Sequence, residues 1–105
     1  MNLEIIWSEI AVKRLDEIFE YYTENANIKI GKKVLQNLLK APDQLISNPF
    51  IGQKEDLLDE RKISYRYLIH KNYKIIYSVD QENGFIKIAE VFDTRQNPEK
   101  IQKTE

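Results

Sequence analysis

The sequence predicts a single α+β domain spanning residues 1–105. An N-terminal strand and an antiparallel helix hairpin come first, and a three-stranded antiparallel meander follows, forming one small sheet. Two observations predict this order. Apolar residues recur with a helical period up to about residue 46 and with a period of two from Lys62 onward. Between these halves, segment 48–52 contains a proline and a glycine and is typical of a turn.

The first elements are a short strand and a long helix. Residues 3–7 are apolar and favour a strand, and Ser8 then stands where a helix N-cap is expected. Glu9 suits the positive end of the helix dipole. The helix is predicted over residues 9–24 because one apolar stripe runs along it, formed by Ala11, Leu15, Ile18, Phe19 and Tyr22.

A second helix follows after very few residues, with Asn25 and Asn27 as stop and restart positions. Such a short connection requires an antiparallel hairpin. Pro42 falls inside the second apolar stripe, which continues in phase to Leu45. We therefore expect a kinked, continuous helix, in preference to a helix that ends at Ala41 and restarts with Pro42 in its first position.

The remaining elements are strands joined by tight turns. Residues 53–60 are polar and acidic and predict an irregular loop. From Lys62 apolar side chains alternate, with Tyr65 and Tyr67 on one side and Leu68 on the other. Turn signals then separate strands over residues 73–79 and 85–92, at positions 71–72 and 83–84. One helical turn is expected at residues 98–101.

Composition narrows the functional classes. The chain has no cysteine, which excludes disulfides and thiolate metal sites. The N-terminus does not resemble a signal peptide, and no apolar run reaches the roughly 18 residues of a membrane helix. We therefore expect a cytoplasmic protein that makes no contact with a membrane.

The charges are separated along the chain although the formal net charge is only -1. Acids dominate residues 1–24, whereas segment 61–77 contains five cations and no acid. This distribution predicts a basic strand face for an anionic partner. The alternative interpretation is that these cations only make exposed strands soluble.

Few catalytic chemistries are compatible with the residues present. A single histidine, His70, and no cysteine predict neither a metal site nor any other cofactor. No nucleophile motif and no phosphate-binding glycine loop occur. Metal-free RNA cleavage is not excluded, because cations with one base can serve it. Tyrosines on the strands could stack on bases, although alternating tyrosines are also ordinary strand residues.

Several motifs, in their order and spacing, resemble the RelE/ParE toxins of type II toxin–antitoxin systems. They are Trp7-Ser8-Glu9-Ile10-Ala11 with the helix after it, Asn48-Pro49-Phe50-Ile51-Gly52, Tyr65-Arg66-Tyr67-Leu68-Ile69, Tyr73-Lys74-Ile75-Ile76-Tyr77, and Val91-Phe92-Asp93-Thr94-Arg95-Gln96-Asn97-Pro98. The last of these resembles the plasmid-stabilisation, or ParE-like, subgroup. The fold of this family agrees with the predicted architecture.

The resemblance implies a toxin that arrests growth and is neutralised by a cognate antitoxin, with DNA bound only through the antitoxin. RelE-like members cleave mRNA on the ribosome, whereas ParE-like members poison DNA gyrase. RelE-like nucleases carry a catalytic tyrosine or histidine after the last strand, and the residues after Val91 include neither. We therefore expect no catalytic residues and a gyrase target. A ribosome-dependent mRNA interferase and a non-toxic adaptor domain of the same fold are the alternatives.

Three sets of residues are candidates for these roles. Antitoxin contacts are expected at Tyr21, Tyr22, Leu35 and Leu39. Target contacts are expected at Arg61, Lys62, Arg66, Lys71, Lys74 and Arg95. In the ribonuclease alternative, the catalytic residues would be His70, Lys74, Arg61, Arg66 and Arg95.

Overall fold

The computed structural model describes residues 3–55 and 63–95, which form one sheet with a helix hairpin packed on it. The elements are β1 (Glu4–Trp7), α1 (Glu9–Asn25), α2 (Ile28–Lys40), a 3-10 helix (Ala41–Leu45), β2 (Gln53–Lys54), β3 (Arg66–His70), β4 (Tyr73–Asp80) and β5 (Phe85–Asp93). The helical turn predicted at residues 98–101 lies outside the described residues.

Both helices begin at the predicted caps. The Ser8 hydroxyl accepts a hydrogen bond from the Ala11 backbone N–H at 3.0 Å and donates one to the Ala89 carbonyl at 2.8 Å. Asn27 caps α2 by accepting from the Ile30 N–H at 2.9 Å. Each cap satisfies a backbone donor that the first helical turn leaves without a partner. Ser8 also attaches the start of α1 to β5.

The expectation of a kinked, continuous second helix is wrong. α2 ends at Lys40, and a 3-10 helix from Ala41 to Leu45 contains Pro42 near its start. Proline has no N–H, so within a helix it fits best in the first turn, where backbone N–H groups have no acceptor in the helix itself. Leu45, at the end of the 3-10 helix, is nevertheless fully buried in the main core.

The sheet has five strands in the order β1-β5-β4-β3-β2. β1 pairs in parallel with β5, from Glu4 opposite Phe85 to Trp7 opposite Ile88, and the other neighbours are antiparallel. The expected loop over residues 53–60 is wrong at its start. Gln53 and Lys54 form β2 on the free edge of β3, although their polar sequence lacks the alternation typical of a strand.

The predicted turn residues lie at the two hairpins. Lys71, between β3 and β4, has a φ of 55°, and Gly84, before β5, has a φ of 78°. Gly84 adopts this left-handed conformation without the steric cost that Lys71 bears. β3 itself begins only at Arg66, later than the alternation from Lys62 suggests.

The two faces of the sheet support separate apolar clusters. The main core lies between the sheet and the helices and includes Leu15, Leu38, Ile75, Tyr77 and Ile88. Tyr65, Ile76, Ala89 and Phe92 form a second cluster, with Tyr67 packed against it. Because side chains alternate along a strand, this second cluster lies on the face opposite the helices.

Candidate functional site

The β3–β4 turn and the end of β5 meet at one end of the sheet. The Asn72 carbonyl accepts hydrogen bonds from the backbone N–H and the hydroxyl of Thr94, both at 2.9 Å. The Asn72 side chain also donates to Asp93 at 3.3 Å. These bonds place Lys71 and Arg95, which are both exposed, at the same end of the molecule.

Asp93 holds Arg95 through a two-pronged ion pair. The Arg95 guanidinium donates to the two Asp93 carboxylate oxygens at 3.0 and 2.8 Å, and the Arg95 N–H donates at 2.9 Å. These bonds hold the pKa of Asp93 well below its usual range, and Asp93 in turn raises the pKa of Arg95. Arg95 therefore remains charged in a fixed position, with 67% of its side chain exposed.

A cleft of about 620 Å³ lies beside this end, between α1 and β5. Its lining is mixed, with apolar and charged side chains from the two walls: Arg14, Glu17, Ile18, Tyr21, Tyr73, Glu90, Val91, Phe92, Asp93 and Arg95. β1 pairs with β5 only as far as Ile88, so α1 instead of a strand stands beside the last residues of β5.

An ion pair crosses the cleft from α1 to β5. The Arg14 Nε donates to Glu90 Oε1 at 2.9 Å, and the same oxygen accepts from the Val91 N–H at 3.1 Å. Burial lowers the pKa of Arg14, but the attraction of Glu90 outweighs it and the net shift is upward. Both cleft arginines, Arg14 and Arg95, are thus bound to carboxylates of the protein itself.

Tyr73 is a feature of the cleft that sequence reasoning did not single out for this site. Burial, followed by a hydrogen bond with the Tyr22 side chain, strongly raises its pKa. A phenol that is held protonated cannot accept a proton at neutral pH, so Tyr73 is a poor general base. The register that pairs Tyr73 with Asp93 is the signal that would have located it.

Arg66 is fixed by the segment before β2. Its Nη1 donates to the Gly52 carbonyl at 2.8 Å and to the Phe50 carbonyl at 3.3 Å. Its guanidinium carbon also lies 5.4 Å from the centre of the Phe50 ring, within the range of a cation–π contact. Arg66 therefore fastens segment 48–52 to the sheet.

Lys74 is held on the other face of the sheet. Its ammonium lies 3.0 Å from Glu55 Oε2 and 4.3 Å from the centre of the Tyr67 ring. The Glu55 side chain is only 3% exposed and that of Lys74 19%. Burial of this kind makes the pair important for folding, because either charge alone would be left poorly solvated.

The predicted single basic strand face is wrong for Arg66 and Lys74. Arg66 pairs with Tyr77, which belongs to the main core, whereas Lys74 lies beside Tyr67 of the opposite cluster. The ribonuclease set is divided in the same way. His70, opposite Tyr73, lies on the face away from Lys74 and roughly 13 Å along β3 from Arg66. Arg61 and Lys62 lie outside the described residues.

The candidate antitoxin contacts lie in two places. Tyr21, 58% exposed, lines the cleft, and its ring packs edge-on against that of Tyr22 at 5.2 Å. Leu39 is exposed on α2, whereas Leu35 packs partly against the main core. Among residues 3–55 and 63–95, no group of three metal-binding side chains occurs. No helix in the same ranges is long and apolar enough to cross a membrane.

Comparisons with known proteins agree with this architecture. The family model described as ParE toxin of the type II toxin-antitoxin system, parDE, matches residues 5–98. Among solved structures, the chain is similar to a chain of the chromosomal ParDE TA system from P. aeruginosa. The TM-score is 0.70 at 18% identity, covering 87% of this chain and 95% of that one. The search among curated protein sequences found no match.

A strand, a helix hairpin and an antiparallel meander thus define the fold of a small type II toxin. The chain belongs to the ParE toxin family of type II toxin–antitoxin systems. Its partner is a cognate antitoxin. The fold predicted from the sequence is confirmed by the structural likeness.

Proposed function

We propose that this ParE-like toxin acts in the cytoplasm on DNA gyrase and that its antitoxin prevents it from doing so. The observation that carries the proposal is the family match over nearly the whole chain. The arrangement at the end of β5 supports it. The described residues there offer a protonated tyrosine and two arginines paired with carboxylates, in place of a base with free cations.

The rate contribution of a positioned acid or base decides whether this arrangement could support RNA cleavage. A positioned acid or base contributes roughly 10²–10⁴-fold to a reaction such as RNA cleavage. His70 and Lys74 lie on opposite faces of the sheet and cannot act on one ribose together. A toxin that binds and stalls its target, without performing chemistry itself, needs no such group.

Gyrase contacts are predicted at the cations of the strand region, Arg61, Lys62, Arg66, Lys71, Lys74 and Arg95, but Arg66 and Lys74 are bound by carbonyls and a carboxylate of the protein itself. Among those described, Lys71 and Arg95 are best suited to the role. Both are exposed at one end of the sheet, and Arg95 is held in a fixed position by Asp93. Exposed cations attract an anionic surface while contributing little to folding.

The proposed antitoxin contacts are Tyr21, Tyr22, Leu35 and Leu39. Tyr21 and Leu39 expose apolar surface that the described part of the chain leaves uncovered. Large exposed apolar side chains mark interaction sites when they cluster. We expect the antitoxin to contact both the cleft and α2, which lie on different sides of the hairpin.

The experiment that tests the proposed function is a side-by-side assay of the purified, antitoxin-free chain. We expect inhibited supercoiling or gyrase-dependent DNA breaks, and intact mRNA in a ribosome-dependent cleavage assay. Adding purified antitoxin should restore supercoiling. Site-specific mRNA cleavage that disappears in His70→Ala, Lys74→Ala or Arg95→Ala would instead assign the chain to the ribosome.

Induction of the chain alone in a bacterial host tests the toxin role more broadly. We expect growth arrest that co-expression of the antitoxin relieves. Normal growth at a confirmed level of folded protein would favour the non-toxic adaptor and contradict the proposal.

A further inference from the structure

The turn between β4 and β5 contains the only asparagine of the chain that is followed by glycine, Asn83-Gly84. In this dipeptide the asparagine amide is chemically vulnerable, because glycine has no Cβ to obstruct attack of its backbone nitrogen on the asparagine side chain. Asn83 is exposed and Gly84 partly exposed, so water reaches both residues. The turn is therefore a candidate site of deamidation.

Deamidation at such a dipeptide proceeds through a cyclic imide. A hydroxide ion removes the proton of the Gly84 backbone nitrogen, and this nitrogen attacks Cγ of Asn83. The new N–Cγ bond forms, the Cγ–Nδ2 bond breaks, and the side-chain nitrogen leaves as ammonia. Water then opens the ring at one of its two carbonyls, which leaves aspartate or isoaspartate at position 83. Water and hydroxide are the only co-reactants.

Asp80 binds both groups that would react. Its carboxylate accepts a hydrogen bond from Asn83 Nδ2 at 2.9 Å and another from the Asn83 backbone N–H at 3.2 Å. Its main-chain carbonyl accepts from the Gly84 N–H at 2.9 Å. One residue thus holds the attacking nitrogen and the leaving amide, and the ring cannot close until these bonds break.

Two further contacts keep this arrangement in place. Lys87 Nζ lies 3.2 Å from Asp80 Oδ2, and the Gly84 carbonyl accepts from the Glu4 N–H of β1 at 2.9 Å. Hydrogen bonds from the Asn83 side chain and backbone lower the pKa of Asp80, so its carboxylate is ionised at neutral pH and is a strong acceptor. The backbone around Gly84 can therefore rotate only when the turn opens locally.

We propose that Asn83 is the deamidation site of this protein and that Asp80 protects it while the β4–β5 hairpin is folded. Isoaspartate adds a methylene to the main chain directly before β5, which lies between β1 and β4 in the sheet. Either product also places a second carboxylate beside Asp80, where the Asn83 side chain now donates a hydrogen bond. Modification therefore destabilises the hairpin, whichever target the toxin acts on.

Deamidation rates of purified variants test the role of Asp80. Each chain is incubated at mildly alkaline pH, and mass spectrometry of its peptides locates and counts the modified asparagines. We expect modification at Asn83, and about tenfold faster in Asp80→Ala than in wild type, because hydrogen bonds to a charged group are lost. Glu82→Ala is the matched control, since Glu82 is an exposed acid of the same turn, and should change the rate by about twofold or less. Asn83→Gln should remove the modification.

Urea separates local protection from a general loss of stability. In urea that unfolds the chain, we expect wild type and Asp80→Ala to deamidate at the same rate, with folded wild type about tenfold or more slower. Circular dichroism melting gives the folded fraction of each variant. If Asp80→Ala does not fold, Asp80→Asn takes its place, because it keeps the shape of the side chain and removes the charge.

Three results would overturn the proposal. Equal rates in folded and unfolded wild type would show that the turn gives no protection. Unchanged rates in folded Asp80→Ala and Asp80→Asn would show that Asp80 is not the protecting residue. Modification mainly at another asparagine would show that Asn83 is not the site.

Discussion

The inner and outer cations of the strand region differ in what holds them. The inner pair, Arg66 and Lys74, is bound by carbonyls, a carboxylate and aromatic rings of the protein. The outer pair, Lys71 and Arg95, is exposed at one end of the sheet, where Arg95 forms an ion pair with its near neighbour Asp93. In the sequence all four are members of the same basic set. The difference shows that a cation's contribution to folding depends on the groups around it, and only exposed cations can be exchanged without damage to the fold.

The largest expected effect is a loss of stability when Lys74 of the inner pair is replaced. Lys74→Met removes an ion-pair partner of Glu55, whose side chain is only 3% exposed, and leaves this carboxylate less compensated in a poorly solvated place. We expect the free energy of unfolding to fall by about 3 kcal/mol. Urea denaturation monitored by tryptophan fluorescence measures this change.

A double variant provides the control for that prediction. Replacing both partners, Lys74→Met with Glu55→Met, removes the uncompensated charge and should recover most of the lost stability. If Lys74→Met alone unfolds at the wild-type urea concentration, Lys74 does not belong to the inner pair.

Gly52, whose carbonyl binds Arg66 of the inner pair, offers a second test. A Cβ at this position would meet the Tyr77 hydroxyl and would lie 2.7 Å from the Tyr67 carbonyl. Tyr77 is fully buried, and its hydroxyl accepts from the Gly52 N–H and donates to the Pro49 carbonyl. We therefore expect Gly52→Ala to lower the free energy of unfolding by about 2 kcal/mol.

Gly31→Ala is the matched comparison for Gly52→Ala. At Gly31 an added Cβ would meet the Thr23 side-chain hydroxyl and would lie 3.2 Å from the Phe19 carbonyl, and a gain in helix propensity of about 1 kcal/mol offsets part of this crowding. We expect a change in unfolding free energy of under about 1 kcal/mol. Equal losses of unfolding free energy in the two variants would show that the surroundings of Gly52 are no more rigid than the contact between α1 and α2 at Gly31.

A smaller effect on stability is expected when low pH protonates Asp93, the partner of Arg95 in the outer pair. Arg95 holds the pKa of Asp93 below its usual range, so Asp93 stabilises the fold above the unfolded-state pKa of about 3.9. This contribution is lost as the pH falls toward the lower folded-state pKa. We expect stability measured from about pH 5 down to pH 2 to fall less steeply in Asp93→Asn than in wild type. Identical slopes would mean that Asp93 and Arg95 are not paired in solution.

The order of elements was predictable because local chemistry determines it. Ser8 and Asn27 are N-caps in sequence and in structure, and the turns fall at Lys71 and Gly84, as predicted. The end of α2 was mispredicted because the apolar stripe and Pro42 give conflicting signals, and the proline determines the geometry.

The site was less predictable because it depends on long-range register. Nothing local indicates that β1 stops opposite Ile88 or that Gln53 and Lys54 form an edge strand. The division of Arg66 from Lys74 follows from the pairing of β3 with β4. The role of Tyr73 in the cleft likewise depends on its position opposite Asp93.

The measurement that tests the central claim most directly compares toxicity with stability in the double variant Lys71→Glu/Arg95→Glu. Both side chains are exposed, and an exposed ion pair such as Arg95–Asp93 contributes at most about 1 kcal/mol, so we predict a melting temperature within about 8 °C of wild type. We also predict that the toxin concentration needed to inhibit gyrase supercoiling rises by about tenfold or more. Full gyrase inhibition by this folded variant would contradict the claim that the outer cations bind the target.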